Sequence, residues 1–180
     1  MIQEQLALLP NTLPDYHPFP PASERAAWAA LPQRVKDRFL QAGEAELATP
    51  ITPLPLSLWR DFLRTGQRTP WENAYFSRRA RLCALVCAEC VEHQGRFLNA
   101  LMDTVWAICE ESAWQLPAHN SYIRDTPQLP LPDTSRPIVD LFAAETGELL
   151  ALTRYLLQDE LDTAAPGITA RMEQELNARI

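Results

Sequence analysis

The sequence predicts an all-α fold. Apolar residues recur with the 3.6-residue period of an amphipathic helix, and no segment alternates apolar and polar residues for long enough to indicate a strand. Proline and glycine fall between the periodic segments, where helices begin and end. At 180 residues the chain fits one domain, and a domain of about this size buries roughly two-thirds of the surface that its unfolded chain exposes. Disulfides are therefore not needed for stability.

Residues 1–55 are expected to form a proline-interrupted helical arm. The prolines within 14–21 fix their own φ and push each preceding residue out of the helical region, so this entry is predicted to be extended. Ser23 is a candidate N-cap for a short helix through Trp28. A second helix is predicted to end near Gly43, because apolar residues recur every four positions at Leu31, Val35 and Phe39.

Residues 56–180 are expected to form helical hairpins. We place helices at about 57–65, 71–93, 96–112, 137–159 and from 168 to the C-terminal end. Gly66 is a candidate C-terminal cap for the first of these, and Pro137 is expected in the first turn of the fourth. Short connections favour antiparallel hairpins. The loop at 113–136 has a length that, in compact domains, usually belongs to functional or disordered segments.

Composition excludes several classes of partner. The formal net charge of -7 and a pI near 5.0 argue against nucleic acid and acidic membranes, both of which need a clustered positive field. No window approaches the roughly 18 uninterrupted apolar residues of a membrane span. The first five residues lack the basic start of a secretory signal. As written, the chain is expected to be cytoplasmic, and a different native N-terminus would allow a periplasmic or secreted protein.

The four cysteines are expected to pack in the core. Cys83, Cys87 and Cys90 recur at helical spacing on one face, in surroundings that are apolar nearly all round, and free cysteine is among the most buried residue types. Cys87 and Cys90 make a single CxxC, and no second pair exists to complete a zinc site. We therefore expect neither a metal site nor a cofactor.

The segment from Trp106 to Asn120 ends an apolar helix with carboxylates, indoles, an imidazole and an amide, which is typical of a carbohydrate-binding surface. His119 is a weak candidate catalytic residue, because an imidazole can exchange a proton near neutral pH. Asn120 can hydrogen-bond a neutralised carboxylate. The alternative is that residues 117–120 only build a turn, with Asn120 satisfying the backbone of the loop.

Three further residues are candidates for binding substrate. Glu110 follows Trp106 by four residues and shares its helix face, so both are placed on the sugar-binding surface, and Tyr122 joins them from the loop. A paired carboxylate and a core-filling aromatic ring are the alternatives for Glu110 and Trp106. Glu110 and Glu111 project about 100° apart on a helix, so they cannot be an acid and base on opposite sides of one substrate.

Arg78, Arg79 and Arg81 form a local basic group. A solvated helix end or salt bridges to Glu72 or Glu89 would explain them. Contact with an anionic sugar is the alternative, and charge alone does not decide between the two.

Several sequence blocks carry a family resemblance over roughly residues 57–180. They are Arg64–Arg68 with Glu72, Tyr75–Phe76 and Arg78–Arg79, then Trp106–Ser112, Pro117–Asn120 and Asp140–Thr146. In their order and spacing, these blocks resemble heparinase II/III-like proteins of bacteria. The resemblance implies part of an (α/α) toroid, a ring of helical hairpins around a central cleft, that is incomplete at the C-terminus of this chain.

The resemblance also implies an activity. Polysaccharide lyases of this kind cleave uronate-containing chains by β-elimination, which requires a neutralised carboxylate, a base for the C5 proton and a proton for the leaving oxygen. Asparagine, tyrosine and histidine typically supply these groups. In the family the main catalytic asparagine and tyrosine, with a further histidine, come after the helix that ends this chain, so a C-terminal continuation is implied.

We therefore expect the N-terminal toroid portion of a polysaccharide lyase-like protein. It would bind or eliminatively cleave acidic polysaccharide or oligosaccharide, and it would be inactive alone. One alternative is a non-enzymatic all-helical module for protein interaction. The other is a fragment of a helical glycoside hydrolase, because toroids also host hydrolysis and a fold does not fix a function.

Overall fold

The structure, a computed structural model, describes residues 17–180. These residues form seven α-helices and one short 3-10 helix, and no strand occurs among them, which confirms the all-α prediction. In chain order the helices are α1 (Arg25–Ala29), α2 (Gln33–Leu47), α3 (Leu56–Thr65), α4 (Thr69–Glu92), α5 (Leu98–Cys109), η1 (Pro117–His119), α6 (Leu141–Ala164) and α7 (Ile168–Arg179).

Helix α4 is the centre of the fold. It contacts α1, α2, α3, α5 and α6, while α7 packs on α5 and α6. This position agrees with a sequence that is apolar on nearly every side in its second half. Although α4 is 24 residues long, neither it nor any other helix within residues 17–180 is long and apolar enough to cross a membrane.

Two groups of buried apolar side chains hold these helices together. The larger joins α4, α5, α6 and α7 through residues that include Leu82, Leu85, Phe97, Leu101, Leu150, Leu157 and Met172. The smaller consists of Trp59, Trp71, Tyr75, Ala113 and Leu116. This aromatic cluster ties α3 and the start of α4 to the segment that follows α5.

Helix α2 does not end at Gly43, so the sequence prediction was wrong there. The helix continues to Leu47, and Gly43 is buried inside it. A Cβ built on Gly43 would overlap the Cβ of Ala88 and would lie 3.0 Å from Cε1 of Phe97. Gly43 is therefore an approach site at which α2 packs directly against α4, rather than a helix terminator.

Two other predicted helix boundaries can be compared with the structure. Gly66 adopts φ of 76° and its N–H bonds to the carbonyl of Phe62, which confirms it as the C-terminal cap of α3. Pro137 does not lie in the first turn of the fourth predicted helix, because α6 begins at Leu141. Asp140 caps α6 instead, with its carboxylate accepting from the N–H of Ala143 at 2.7 Å.

The arm docks onto the far ends of α4 and α6. The described part of its predicted extended entry, residues 17–21, is non-helical as predicted, whereas residues 14–16 of that prediction lie outside the described residues. The Arg25 guanidinium donates to the carbonyls of Cys90 and Val91, both at 2.7 Å, and the Ala22 N–H donates to the Leu156 carbonyl at 2.8 Å. Ser23 makes no side-chain cap, because α1 begins at Arg25.

The close approach at Gly43 generates a stability prediction. Gly43→Ala is expected to lower the free energy of unfolding by about 1–3 kcal/mol, because an added methyl group in a packed site displaces its neighbours. The gain in helix propensity, up to about 1 kcal/mol, is smaller. Urea denaturation measures the difference. In a Gly43→Ala/Ala88→Gly double variant the clashing Cβ is gone and part of the loss should be recovered. Equal stabilities for Gly43→Ala and wild type would contradict the contact.

Candidate functional site

A buried carboxylate organises the region around the end of α5. Glu111, whose side chain is 4% exposed, receives Nη1 and Nη2 of Arg79 at 2.7 and 2.5 Å and Nη1 of Arg78 at 3.1 Å. The paired contact with Arg79 is bidentate, which is the strong geometry for a guanidinium and a carboxylate. Two cations of α4 are therefore bound by one anion from the segment after α5.

These pairings differ from those the sequence suggested. Glu72 pairs with Arg68 at 2.7 Å, and Glu89 accepts from the backbone N–H groups of Gly95 and Phe97. Neither of these two carboxylates pairs with Arg78, Arg79 or Arg81. The correct partners are distant in sequence, and helical spacing alone could not identify them.

Tyr75 extends the buried network toward α6. Its hydroxyl lies 2.7 Å from the Trp114 carbonyl, 3.0 Å from the Phe142 carbonyl and 2.7 Å from Oγ1 of Thr146. The guanidinium carbon of Arg79 lies 3.4 Å from the centroid of its ring. Burial raises the pKa of Tyr75 to about 12, so this phenol is neutral and serves as a structural connection between α4 and α6.

His119 and Asp140 form a hydrogen-bonded dyad at the edge of the aromatic cluster. Nδ1 of His119 lies 2.6 Å from Oδ2 of Asp140, which also accepts from the N–H of Leu116 at 3.1 Å. The imidazole stacks on Phe142, with ring centroids 5.7 Å apart. An ionised carboxylate only accepts, so Nδ1 carries the proton and Nε2 of the neutral ring is left as an acceptor.

A cavity of about 550 Å³ opens beside the aromatic cluster, and neither His119 nor Asp140 lines it. Its apolar walls include Trp59, Trp71 and Leu131, and its polar groups include Arg78, Glu110 and Ser112. The indole N–H of Trp71 is buried and has no hydrogen-bond partner among the described residues. Such a combination of apolar walls with a few polar groups is typical of a small-molecule site.

Arg78 is held rigidly at this cavity. Besides its contact with Glu111, its Nε donates to the Thr52 carbonyl at 2.7 Å and its Nη1 lies 3.2 Å from the Ala107 carbonyl. Nη2 makes no hydrogen bond with the described residues. A fixed guanidinium with an unused donor at a cavity can bind a carboxylate or a hydroxyl group of a ligand.

Trp106 lies on α5, and Glu110 is the C-cap of that helix four residues later. Trp106 is 54% exposed, and the guanidinium carbon of Arg171 lies 5.5 Å from its ring centroid. The same Arg171 pairs with Glu110 at 3.2 Å. Glu110 also lines the cavity, whereas Trp106 does not. The exposed indole therefore belongs to a surface patch beside the cavity rather than to its wall.

The structure gives Asn120 a loop-building position. Its side chain is fully buried; Oδ1 accepts from Nε2 of Gln115 at 3.0 Å, and Nδ2 donates to the Leu129 carbonyl at 2.9 Å. The amide is thus occupied within the loop, which is the turn alternative raised from the sequence.

Tyr122 lies in the same loop and is 39% exposed. Its hydroxyl donates to Oδ2 of Asp133 at 2.8 Å, and the Arg136 guanidinium lies 4.1 Å from its ring centroid. It contacts its own loop, and it does not line the cavity.

Asp140 and Trp71 belong to this region, and the sequence does not identify either as a site residue. The signal for Asp140 is its position before an apolar helix, which is usual for an N-cap. The sequence predicts Trp71 only as the start of a helix. Its unpaired N–H had no signal in the sequence, because it depends on tertiary packing.

No protein-family model and no curated protein matches the chain. Function is therefore inferred from the geometry of the site and from the sequence blocks within residues 64–79, 106–120 and 140–146. Among residues 17–180, no group of three or more His, Cys, Asp or Glu side chains is arranged to hold a metal ion.

The adjacent glutamates provide a matched stability test. Glu111→Ala is expected to destabilise the fold by about 3–5 kcal/mol, because removing one partner leaves buried guanidinium groups without a counter-charge. Glu110→Ala removes an exposed pair with Arg171 and should cost less than about 1 kcal/mol. Chemical denaturation of both variants measures the contrast. Similar losses for the two substitutions would show that Glu111 does not organise this region.

Proposed function

We propose that this chain is the substrate-binding helical portion of a polysaccharide lyase-like protein, with its hairpins forming part of an (α/α) toroid. The substrate class is uronate-containing polysaccharide. The observation that carries the proposal is the His119–Asp140 dyad, in which a carboxylate fixes the ring so that Nε2 is available for proton transfer.

The chemistry of β-elimination explains why such a dyad is useful. A base removes the C5 proton of the uronate, and an acid protonates the departing glycosidic oxygen. Nε2 of His119 can accept the first proton or, once protonated, donate the second. Asp140 acts as a positioning residue, since it holds Nδ1 and the α6 N-terminus together.

The cavity beside the aromatic cluster supports binding of a sugar ring. Indole and leucine walls suit the apolar faces of a pyranose, and the Arg78 guanidinium suits its carboxylate. Arg78 and Arg79 share the carboxylate of Glu111, and Glu110, which also lines the cavity, pairs with Arg171. Arg78 is therefore the group at the cavity that suits a ligand carboxylate.

From the resemblance we infer that the other catalytic groups follow Ile180. Residues 1–180 are therefore proposed to bind uronate polymers without cleaving them. In the continuous protein that the resemblance implies, His119 contributes to elimination, and the product is an unsaturated uronate that absorbs in the ultraviolet.

A helical module for protein interaction is the second candidate. The exposed Trp106 favours it, because large aromatic side chains with neighbouring arginines are enriched in protein interfaces. Hydrolysis by Glu110 and Glu111 has less support, since both carboxylate oxygens of Glu111 already accept from guanidinium groups.

Binding of uronate polymers tests the cavity. Leu131 is half-exposed at the cavity. Replacing it with Glu adds a negative charge there, which should weaken binding of polygalacturonate or hyaluronan about tenfold, equivalent to about 1.4 kcal/mol. Ile123→Glu is the matched control, because Ile123 is exposed in the same loop away from the cavity. Isothermal titration calorimetry measures both variants, with dextran as a neutral polymer.

The outcomes separate the two candidates. Equal weakening by Leu131→Glu and Ile123→Glu would show that the cavity is not the binding site. Absence of binding to every uronate polymer, combined with loss of a protein contact in Trp106→Ala, would support the interaction module.

His119 has its own test in the continuous protein. His119→Gln is expected to lower the rate of ultraviolet product formation about 100-fold or more, in the range usual for loss of a general acid or base, with substrate affinity changed less than threefold. Asp140→Asn keeps a good helix cap but changes the partner of Nδ1, so it should give an intermediate rate. A His119→Gln protein with unchanged turnover would exclude a catalytic role.

A further inference from the structure

The outward face of α4 carries two cysteines that the proposed function does not use. Cys83 is exposed and Cys87 is partly buried, whereas Cys90 and Cys109 are buried. The expectation that all the cysteines pack in the core is therefore wrong for Cys83. Because Cys83 and Cys87 are four residues apart on one helix, they lie on adjacent turns of the same face.

These two cysteines line a groove between α4 and α2 that also contains cationic side chains. The arginine groove, defined by Arg34, Arg38, Phe39, Cys83 and Cys87, has a volume of about 790 Å³. Arg34 and Arg38 are exposed, and neither forms an ion pair with a carboxylate of residues 17–180. The thiolate is the nucleophilic form of cysteine, and an exposed thiol in such a groove can be reached by a dissolved reagent.

Cys87 affects the pKa of the Cys83 thiol. The neighbouring Cys87 thiol lowers the pKa of Cys83 to about 6, and the same coupling raises the pKa of Cys87. The charged or titratable groups that line the two grooves around Cys83 are Arg34 and Arg38 from α2, Tyr75, Arg79 and Cys87 from α4, and Glu145 from α6. Burial holds the pKa of Cys90 at about 12 and that of Cys109 at about 11.

We propose that Cys83 is a site of S-thiolation by small disulfides that carry carboxylate groups, with Arg34 and Arg38 attracting the carboxylates. The Cys83 thiolate attacks one sulfur of the disulfide RS–SR. A new bond forms between Sγ of Cys83 and that sulfur, the RS–SR bond breaks, and RS⁻ leaves and takes a proton from water. The products are one mixed disulfide on the protein and one free thiol.

Cys87 assists this reaction without completing a second exchange. An internal disulfide needs Cβ atoms about 3.5–4.5 Å apart, whereas residues at i and i+4 of a helix have Cβ atoms about 5–6 Å apart. Closing that gap would distort the central helix of the fold. The mixed disulfide on Cys83 is therefore expected to persist until an external thiol removes it.

Glutathione disulfide, which carries several carboxylates, is the probe for a direct test on the full chain at pH 7. Intact-protein mass spectrometry should show one adduct, peptide mapping should place it on Cys83, and dithiothreitol should remove it. Cys83→Ser should abolish the adduct. No adduct, or equal labelling of Cys90 or Cys109 in the folded protein, would overturn the proposal.

Variants of Cys87 and of the two arginines distinguish activation of the Cys83 thiol from attraction of the disulfide. Cys87→Ser keeps an O–H donor and should react like wild type, whereas Cys87→Ala should move the midpoint of the rate profile from about 6 toward the ordinary thiol value of about 8.5. Arg34→Gln/Arg38→Gln should slow reaction with glutathione disulfide about tenfold and leave the rate with cationic cystamine unchanged or higher. Equal slowing with both disulfides, or identical profiles for Cys87→Ser and Cys87→Ala, would contradict these roles.

Discussion

The contact between Glu111 and the two arginines of α4 is the constraint on which the rest of the site depends. The side chain of Glu111 joins the segment after α5 to the central helix, α4. Its main-chain carbonyl accepts from the Arg179 guanidinium of α7 at 2.6 Å, and a second nitrogen of Arg179 bonds to the Cys109 carbonyl at 3.0 Å. The end of α5 is thereby satisfied by side chains of two other helices, where the last turn of a helix would otherwise leave carbonyls unpaired.

This arrangement also separates two tasks. Glu111 and Arg79 bind each other and hold the helices together. The Tyr75 hydroxyl connects the same region to the Trp114 carbonyl and to Thr146 of α6. Arg78 shares the carboxylate but reaches the cavity, so it is both anchored and available. A rigid support beneath an available group is what a binding site needs, since a loosely held guanidinium would lose more conformational entropy when a ligand binds.

The sequence predicted those features that depend on local patterns. The end of α3 at Gly66 followed from a glycine after an amphipathic run. The sequence did not predict the features that depend on tertiary contacts. Gly43 was read as a terminator, because the same residue that ends helices also permits two helices to touch. The partners of Arg78 and Arg79 lie over 30 residues away, beyond any local pattern.

The docking of the arm onto α6 has a consequence for the order of folding. Phe19 and Tyr155 are hydrogen-bonded although they are 136 positions apart in sequence, and the Ala22 N–H bonds to the carbonyl just before Leu157, where α6 departs from helical geometry with φ of −132°. Contacts across so long a separation carry a large loop-closure entropy and form after local hairpins. During synthesis, Arg25 can reach α4 once residue 91 is present, whereas the contacts with α6 must wait for residue 156. The arm is therefore expected to attach first to α4 and only later to α6.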